Sequence, residues 1–233
     1  RTAFLATSSQ LKGIIAIDVK LELNIQSNTV FILKKPLTIK SEENTMLNAS
    51  LYFMVPGLGH GLRVNGSIDI KSQALIFSIE GIYFHCARAA ARANIWTQSK
   101  PFNITSTNIL HHSPFLLLKT MSAVGKTELS PRGDEPGFVK QISKKIILLP
   151  ERPGNKIAVS LRNIISNEKI ELLFLVPNSN KTLTISGKAK VISDQVLLGP
   201  CSVNGKTPKT GILIQIESFN FNDDLAIDRC GIW

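Results

Sequence analysis

The sequence predicts a β-rich α+β protein that contains two tandem copies of one unit. Short runs of β-branched and aromatic residues, bounded by Pro, Gly, Asn or Lys, outnumber the helical segments. Segments of the first half also match segments of the second half in the same order. With 233 residues, of which 43% are hydrophobic, the chain can form one large or two small globular domains.

The predicted strands are five short apolar runs, at residues 29–33 (TVFIL), 51–55 (LYFMV), 145–149 (KIILL), 171–176 (ELLFLV) and 212–216 (ILIQI). Two segments favour helices. Residues 87–96 are rich in Ala and Arg, and residues 158–165 place apolar side chains at helical spacing. This composition is typical of β-barrels rather than of alternating β-α-β units.

Three pairs of segments carry the internal repeat: 51–70 with 172–191, 76–96 with 213–233, and 29–36 with 145–152. The first pair aligns without a gap and shares Leu, Phe, Val, Pro, Leu and Gly, and the second ends both copies on Trp. We therefore predict repeats at residues 1–97 and 114–233, joined by a linker at 98–113 that contains Ser, Thr, Asn and Pro. Residues 194–210 form an insertion in the second repeat, interpreted as a surface loop.

The net charge of +10, from 27 Lys and Arg against 17 Asp and Glu, attracts anions without selecting among them. The chain contains no block of five or six like charges, which makes nucleic-acid binding an unfavoured interpretation. No apolar run approaches the roughly 18–20 residues of a membrane helix, so we expect no membrane partner. The three cysteines (Cys86, Cys201 and Cys230) lack metal-ligand spacing, and we predict no metal site.

The cysteine content also bears on location. Three cysteines cannot all pair, which favours free thiols in a reducing compartment. We therefore expect a cytoplasmic protein. An organelle matrix is the alternative, because the chain begins at Arg1 without a recognisable leader.

Four motifs resemble those of a known superfamily: SPRGD at residues 130–134, LPERPGNK at 149–156, LRN at 161–163 and FHCA at 84–87. Together they are similar to the pyridoxamine 5′-phosphate oxidase-like FMN-binding split-barrel superfamily, and in particular to its predicted FMN-dependent branch with SPRGD and FHCA motifs. The resemblance implies a split β-barrel with flanking helices. It also implies dimers that hold FMN in two clefts between protomers. A tandem duplication would turn that dimer into an intramolecular pseudo-dimer.

The two halves have lost different motifs. The second half keeps SPRGD and the Arg-Pro-Gly-Asn-Lys loop, whereas the equivalent residues 14–20 and 34–47 of the first half lack both. The first half keeps Phe84-His85-Cys86-Ala87, where the second half has Phe221-Asn222-Asp223-Asp224. If each cleft combines one motif set from each half, these losses preserve one composite cleft and abandon its mate.

The resemblance assigns eleven candidate cofactor-binding residues. Seven belong to the second repeat and supply donors suited to a phosphate dianion: Ser130, Arg132, Arg152, Gly154, Asn155, Lys156 and Arg162. Four belong to the first repeat and are expected near the flavin ring or as a second wall: His85, Cys86, Arg88 and Trp96. Two simpler interpretations stay open. In one, Arg132 and Asp134 form a surface pair in a β-turn. In the other, Arg88 lies on a solvated helix face.

The leading functional prediction is an FMN-binding oxidoreductase with one composite site per chain. Its partners would be FMN and an unidentified small-molecule substrate or electron donor, with further homo- or hetero-oligomerisation left open. No nucleophile–base constellation is recognisable, so catalytic residues are not assigned and the cofactor would carry the chemistry. The first alternative is a degenerate barrel kept as a structural or binding subunit of a larger assembly. The second is a haem-binding barrel with His85 as axial ligand.

Overall fold

The computed structural model describes residues 2–8, 13–34, 45–55, 57–96, 103–154, 158–230 and 232–233. They form two seven-stranded antiparallel sheets. The first contains β1 (Thr2–Thr7), β2 (Ile15–Asp18), β3 (Leu23–Ser27), β4 (Val30–Lys34), β5 (Met46–Met54), β6 (Gly61–Ile70) and β7 (Ala74–His85). The second contains β8 (Phe115–Met121), β9 (Thr127–Gly133), β10 (Lys140–Ser143), β11 (Ile146–Pro150), β12 (Lys169–Leu175), β13 (Lys181–Ile192) and β14 (Gly211–Asp223).

The two sheets have the same topology. The first has the strand order β2-β1-β5-β6-β7-β4-β3, and the second has β9-β8-β12-β13-β14-β11-β10. Each strand from β1 to β7 therefore has a counterpart seven strands later in the chain. This confirms the predicted β-rich fold with two tandem barrels. The boundaries at residues 97 and 114 stay a prediction.

A duplicated bulge shows the equivalence at the level of single residues. The register shifts between Asn65 and Gly66 in one sheet and between Ser186 and Gly187 in the other. A Cβ atom on Gly66 would lie 2.0 Å from the Ser78 carbonyl oxygen, and one on Gly187 would lie 2.1 Å from that of Gln215. Both sheets therefore require glycine at this bulge, because a backbone oxygen takes the place of a side chain.

Alternation along the strands builds a core inside each barrel and a further core shared by both repeats. In β1, Ala3 and Leu5 face the core of the first barrel, whereas Phe4 and Ala6 face a core shared by both repeats. In β8, Leu116 and Leu118 likewise face the second barrel, and Leu117 faces the shared core. Both faces of these strands are buried, and the shared core holds the repeats together as the predicted pseudo-dimer.

Two tryptophans lie at equivalent places beside the shared core. Trp96 Nε1 donates to the Leu58 carbonyl oxygen at 2.8 Å, and Trp233 Nε1 donates to that of Ser179 at 3.0 Å. The two ring centroids lie 6.1 Å apart. An isologous interface places equivalent residues opposite each other near its two-fold axis, and the tryptophan pair has this arrangement.

The helices are short and lie at strand connections: α1 (Val19–Glu22), α2 (Arg88–Ala93), α3 (Ile109–His112), α4 (Val159–Ser166), α5 (Gln195–Leu198) and α6 (Leu225–Cys230). The predicted helices at 87–96 and 158–165 correspond to α2 and α4, and the five predicted strands are all present. In the described ranges, no helix is long and apolar enough to cross a membrane.

The insertion predicted as a surface loop has defined structure. Asp194 caps α5 by accepting from the Val196 and Leu197 backbone N–H groups at 2.9 and 3.1 Å. A short 3-10 helix (Gly199–Cys201) follows, and Leu198 and Cys201 are buried against β11. The connection is therefore anchored to the second barrel. Residues 35–44, which correspond to the region of α4, lie outside the described residues.

Candidate functional site between the two repeats

The candidate site begins where α2 of the first repeat meets β9 of the second. A Cβ atom on Gly133 would lie only 2.3 Å from the Ala89 carbonyl oxygen, so glycine permits this close contact. Arg92 Nε donates to the Gly133 carbonyl oxygen at 3.0 Å and fixes the helix on the strand. The FHCA and SPRGD motifs thus lie side by side, although they belong to different repeats.

Two adjoining cavities lie at this junction. An inner cavity of about 60 Å³ is lined by both repeats, and an outer cavity of about 660 Å³ is lined mostly by the second repeat. Five residues line both cavities: Arg92, Arg132, Glu151, Arg152 and Gly154. The inner cavity therefore forms the deep end of one composite cleft.

Seven of the eleven predicted residues line this cleft: His85, Cys86 and Arg88 from the first repeat, and Ser130, Arg132, Arg152 and Gly154 from the second. Asn155 and Lys156 lie outside the described residues. Two predictions are not supported by the geometry, because Trp96 and Arg162 line neither cavity. Trp96 is instead engaged with Leu58 and the Trp233 ring, and Arg162 is exposed on α4.

Three arginines of the cleft form ion pairs. Arg132 Nη2 lies 2.9 Å from Glu151 Oε1, and Arg152 Nε donates to Asp134 Oδ2 at 2.5 Å. Arg63 of the first repeat pairs with Glu128 of the second, and both side chains are buried. Residues 130–133 belong to β9, and Asp134 is buried. The alternative in which Arg132 and Asp134 form a surface pair in a β-turn is therefore wrong.

The α2 arginines bridge the repeats. Arg92 Nη1 donates to the Pro153 carbonyl oxygen at 3.2 Å, and Arg88 Nη1 donates to that of Gly154 at 3.4 Å. Burial lowers the pKa of Arg92, and the nearby Asp134 opposes this shift. Both helix arginines thus face the loop at residues 153–154 and give the cleft a second cationic wall.

His85 is buried and neutral at the deep end of the cleft. Burial, together with the positive charges of Arg63 and Arg132, lowers its pKa from 6.5 to about 4. Its ring packs edge-on against Tyr52 at 5.6 Å, and its Nε2 atom is buried without a hydrogen-bond partner. Burial also raises the pKa of Glu128, against the attraction of Arg63. A neutral imidazole can either donate or accept at Nε2.

We expect His85 to make folding stability depend on pH. The depressed native pKa means that the unfolded chain takes up a proton first, so stability is lost as the pH falls from about 6.5 to about 4. The full loss corresponds to about 3 kcal/mol. Urea unfolding at several pH values should show this component in the wild type and not in His85→Gln. An NMR titration that gives His85 a pKa near 6.5 would contradict the prediction.

Two arginines of the cleft have uncharged counterparts on the pseudo-symmetric side. The strand registers place Ile17 at the position of Arg132 and Thr184 at that of Arg63. That side holds a different buried pair, Lys119 with Glu171, whose Nζ and Oε2 atoms lie 3.6 Å apart. Among the described residues, the arginine cluster therefore lies on the side of the SPRGD and FHCA motifs.

Sequence reasoning missed two groups of site residues. Arg63 lies near the start of β6 and Glu128 near the start of β9, so each is a charged residue at a strand position that the fold buries. A charged side chain within a strand was the sequence signal that could have identified these two residues. Lys206 and Lys209 of the insertion line the outer cavity, and no local sequence pattern indicates this because the connection reaches the cleft through its own fold.

The architecture defines a tandem split β-barrel protein, and the comparisons assign its family. The family model of pyridoxamine 5′-phosphate oxidase matches residues 106–221, which span β8 to most of β14. The chain therefore belongs to the pyridoxamine 5′-phosphate oxidase family through its second repeat. No curated protein matches the chain at a significant level.

Solved structures match about half of the chain. HupZ from Group A Streptococcus is 17% identical, with 52% of this chain and 94% of that chain covered and a TM-score of 0.42. A putative pyridoxamine 5′-phosphate oxidase from Lactobacillus delbrueckii is 18% identical, with 50% and 93% covered and a TM-score of 0.39. HutZ, the heme storage protein from Vibrio cholerae, is 14% identical, with 52% and 94% covered and a TM-score of 0.35.

Proposed function

We propose that the protein is a flavin-dependent oxidoreductase that binds one FMN in the composite cleft between its repeats. The observation that carries this proposal is the convergence of the retained motifs. His85, Cys86 and Arg88 of the first repeat line the same cavity as Ser130 and Arg132 of the second. The location in the cytoplasm or an organelle matrix stays a prediction from the cysteine content.

The charge of the cleft fits a phosphate-bearing cofactor. Seven Lys and Arg side chains but three carboxylates line the two cavities within the described part of the chain. Arg132 retains a buried Nε donor without a hydrogen-bond partner. Guanidinium groups form strong charge-assisted hydrogen bonds with phosphate oxygens. We therefore assign Arg92, Arg132 and Arg152 to the phosphate, with Lys206 and Lys209 adding positive charge at the outer cavity.

The size of the cleft fits as well. Sites for cofactors and drug-sized ligands measure roughly 300–1,000 Å³, and the outer cavity has about 660 Å³. Leu161 and Val203 supply apolar surface on its wall. A bound flavin would supply hydride and electron transfer. The residues of the chain would bind and orient it, and the neutral His85 would offer one hydrogen bond at the deep end.

The two alternatives make different use of the same residues. A haem protein would use the unpartnered Nε2 of the neutral His85 as an iron ligand, although the cavity beside it has only about 60 Å³. A structural subunit would need no ligand, because Arg132 and Arg152 already pair with carboxylates. The predicted absorption spectra separate all three.

The test is the absorbance spectrum of the purified full chain, before and after denaturation, with mass spectrometry of any released compound. We expect about one FMN per chain, bound as purified or after incubation with FMN. Two FMN per chain would contradict the single composite cleft. A Soret band would support the haem alternative, and a colourless protein that does not take up FMN would support the structural one.

A further inference from the structure

A third cavity lies beside the Trp233 ring, away from the composite cleft. It measures about 480 Å³, and none of its described lining residues belongs to the inner or the outer cavity. Its walls come from the turn between β12 and β13, from α6 and from the segment before α3. The volume lies within the roughly 300–1,000 Å³ of small-molecule sites. The third cavity is therefore large enough for a ligand of its own.

The third cavity has an apolar floor and a polar rim. Ile104, Ile227 and Ile232 are buried and form the floor. Asn103 is exposed and Asn180 is half-buried, so their amides lie at the rim. Each amide carries both donors and acceptors. The cavity thus suits a ligand with an apolar face and neutral polar groups around its edge.

The charge of the third cavity does not favour an anion. Among its described lining residues, Lys181 is the one cation and Asp228 the one carboxylate. Lys181 Nζ already lies 2.5 Å from Asp223 Oδ1 and 5.9 Å from the centroid of the Phe221 ring. A bound anion would therefore meet the exposed Asp228, while the nearby lysine is already paired.

The fold does not require the amide at position 180. The repeat alignment places Gly59 of the first repeat at this position. A Cβ atom on Gly59 would lie 2.8 Å from the Ala87 Cβ atom, so the first repeat has no space for a side chain there. In the second repeat, the Asn180 side chain has space and lines the cavity. The two copies of the turn differ at the residue that gives the rim its polar group.

The Trp233 ring forms an oriented wall of the third cavity. Its Nε1 atom donates to the Ser179 carbonyl oxygen at 3.0 Å, which fixes the indole before a ligand arrives. A pyranose sugar has C–H groups on the faces of its ring and hydroxyl groups around its edge. The C–H faces can pack on an indole and on aliphatic side chains, and each hydroxyl both donates and accepts.

We propose that the third cavity binds a neutral hexopyranose. One face of the sugar ring contacts Trp233 and the isoleucine floor, and its hydroxyl groups form hydrogen bonds with the Asn103 and Asn180 amides. This inference does not rest on the proposed cofactor, because the two sites have no described lining residue in common. The same chemistry is offered by a free sugar and by the terminal sugar of an oligosaccharide.

The test uses tryptophan fluorescence of the whole chain without FMN. The chain has two tryptophans, so Trp96→Phe leaves Trp233 as the reporter. We expect at least one of methyl glucoside, methyl galactoside and methyl mannoside to change the emission, with a dissociation constant in about the millimolar range of so small a ligand. The wild-type chain serves for the same titration if Trp96→Phe fails to fold. No response to any of the three sugars would overturn the proposal.

Two further probes test the apolar face and the neutrality of the ligand. Sorbitol has the hydroxyl groups but no ring face, and the uronic acid of the sugar that binds adds a carboxylate. We expect each to bind at least about tenfold more weakly than that sugar, which corresponds to the loss of one good contact. Equal binding of sorbitol, or tighter binding of the uronic acid, would overturn the proposal.

Asn180→Ala should weaken sugar binding about fivefold, the effect of losing one hydrogen bond. The variant keeps the Asn180 carbonyl oxygen, which accepts from the Asp224 N–H at 2.8 Å, so the turn should fold. Asn103→Ala tests a second rim position. The matched control is Asn220→Ala, which removes an exposed asparagine of β14 that lines none of the three cavities. Unchanged affinity in both rim variants, or an equal loss in the control, would overturn the proposal.

A disaccharide that ends in the sugar that binds distinguishes the two sources. Affinity equal to or higher than that of the single sugar would support an oligosaccharide end, whereas at least about tenfold weaker binding would support a free sugar. Sugar binding by a chain that does not take up FMN would leave this inference standing while the proposed cofactor failed. Uptake of FMN without any response to the sugars would overturn this inference alone.

Discussion

Replacing Arg132 with alanine should weaken FMN binding by about 10- to 100-fold, since hydrogen bonds to charged groups contribute about 1.5–3 kcal/mol. Arg132 lines both cavities, and its Nε donor is buried without a partner. Its Nη2 group is held near Glu151, so the guanidinium is already oriented when the ligand arrives. The measurement is a fluorescence titration of the cofactor-free chain with FMN, alongside urea unfolding to establish that the variant folds.

Glu151→Gln should act in the opposite direction. Removing the carboxylate charge reduces repulsion of a phosphate, and the glutamine amide oxygen can still accept from Arg132 and keep it oriented, so FMN should bind at least as tightly as in the wild type. Arg152→Ala is a less clean test, because it leaves the buried Asp134 without its cation and affects folding as well. If the Arg132→Ala variant binds FMN with wild-type affinity, this arginine does not contact the cofactor.

The duplication supplies a matched control for the arginines of α2. Arg92 and Arg229 occupy equivalent positions, but Arg92 bonds to the other repeat, whereas Arg229 Nε donates to the Leu225 carbonyl oxygen of its own helix at 3.2 Å. Arg92→Ala and Arg88→Ala should therefore weaken the same FMN site, and Arg229→Ala should not. Equal effects from Arg92→Ala and Arg229→Ala would contradict a site on one side of the pseudo-dimer.

Gly133→Ala should have the largest effect on stability. Its Cβ atom would lie 2.3 Å from the Ala89 carbonyl oxygen and 3.0 Å from Phe115 Cδ2, so α2 must move away from β9. Overpacking of this kind costs about 3 kcal/mol. For a chain of this length, that corresponds to a fall in Tm of roughly 6–12 °C. The displaced helix should also carry Arg92 out of place, so FMN affinity should fall with stability.

Gly199→Ala is the control for this prediction. No heavy atom lies within 4 Å of the position of its added Cβ, and its φ of −50° suits any residue. Its Tm, measured by calorimetry beside that of Gly133→Ala, should stay within about 2 °C of the wild type. A Gly133→Ala protein as stable as Gly199→Ala would show that α2 and β9 do not need their close contact.

The repeat made much of the fold predictable. Matching segments at 51–70 and 172–191 implied matching strands, and the self-complementary nature of two-fold interfaces implied that motifs from different halves would meet. For that reason, the sequence predicts His85 and Arg132 on one cleft, and both residues line the inner cavity. The strands at 2–7 and 127–133 were not identified in advance, since neither shows a continuous β-branched run.

The ion pairs were not predictable in the same way. The Arg63–Glu128 contact joins residues 65 positions apart in different repeats, so it depends on how the barrels pack and not on any local spacing. The prediction for Trp96 had a different weakness, since Trp96 lines neither cavity. A tryptophan at a helix end is equally compatible with a ligand slot and with packing, and its hydrogen bond to Leu58 favours packing.

Because both barrels belong to one chain, assembly of their shared core does not depend on protein concentration. When such an interface joins separate chains, the fraction assembled falls as the protein becomes scarce, and a cleft built by both chains is lost with it. Here the partner is covalently attached, so its effective concentration is set by the connecting segment and not by the amount of protein. The cleft of this chain therefore stays assembled at any cellular abundance, which a two-chain arrangement of the same barrels cannot achieve.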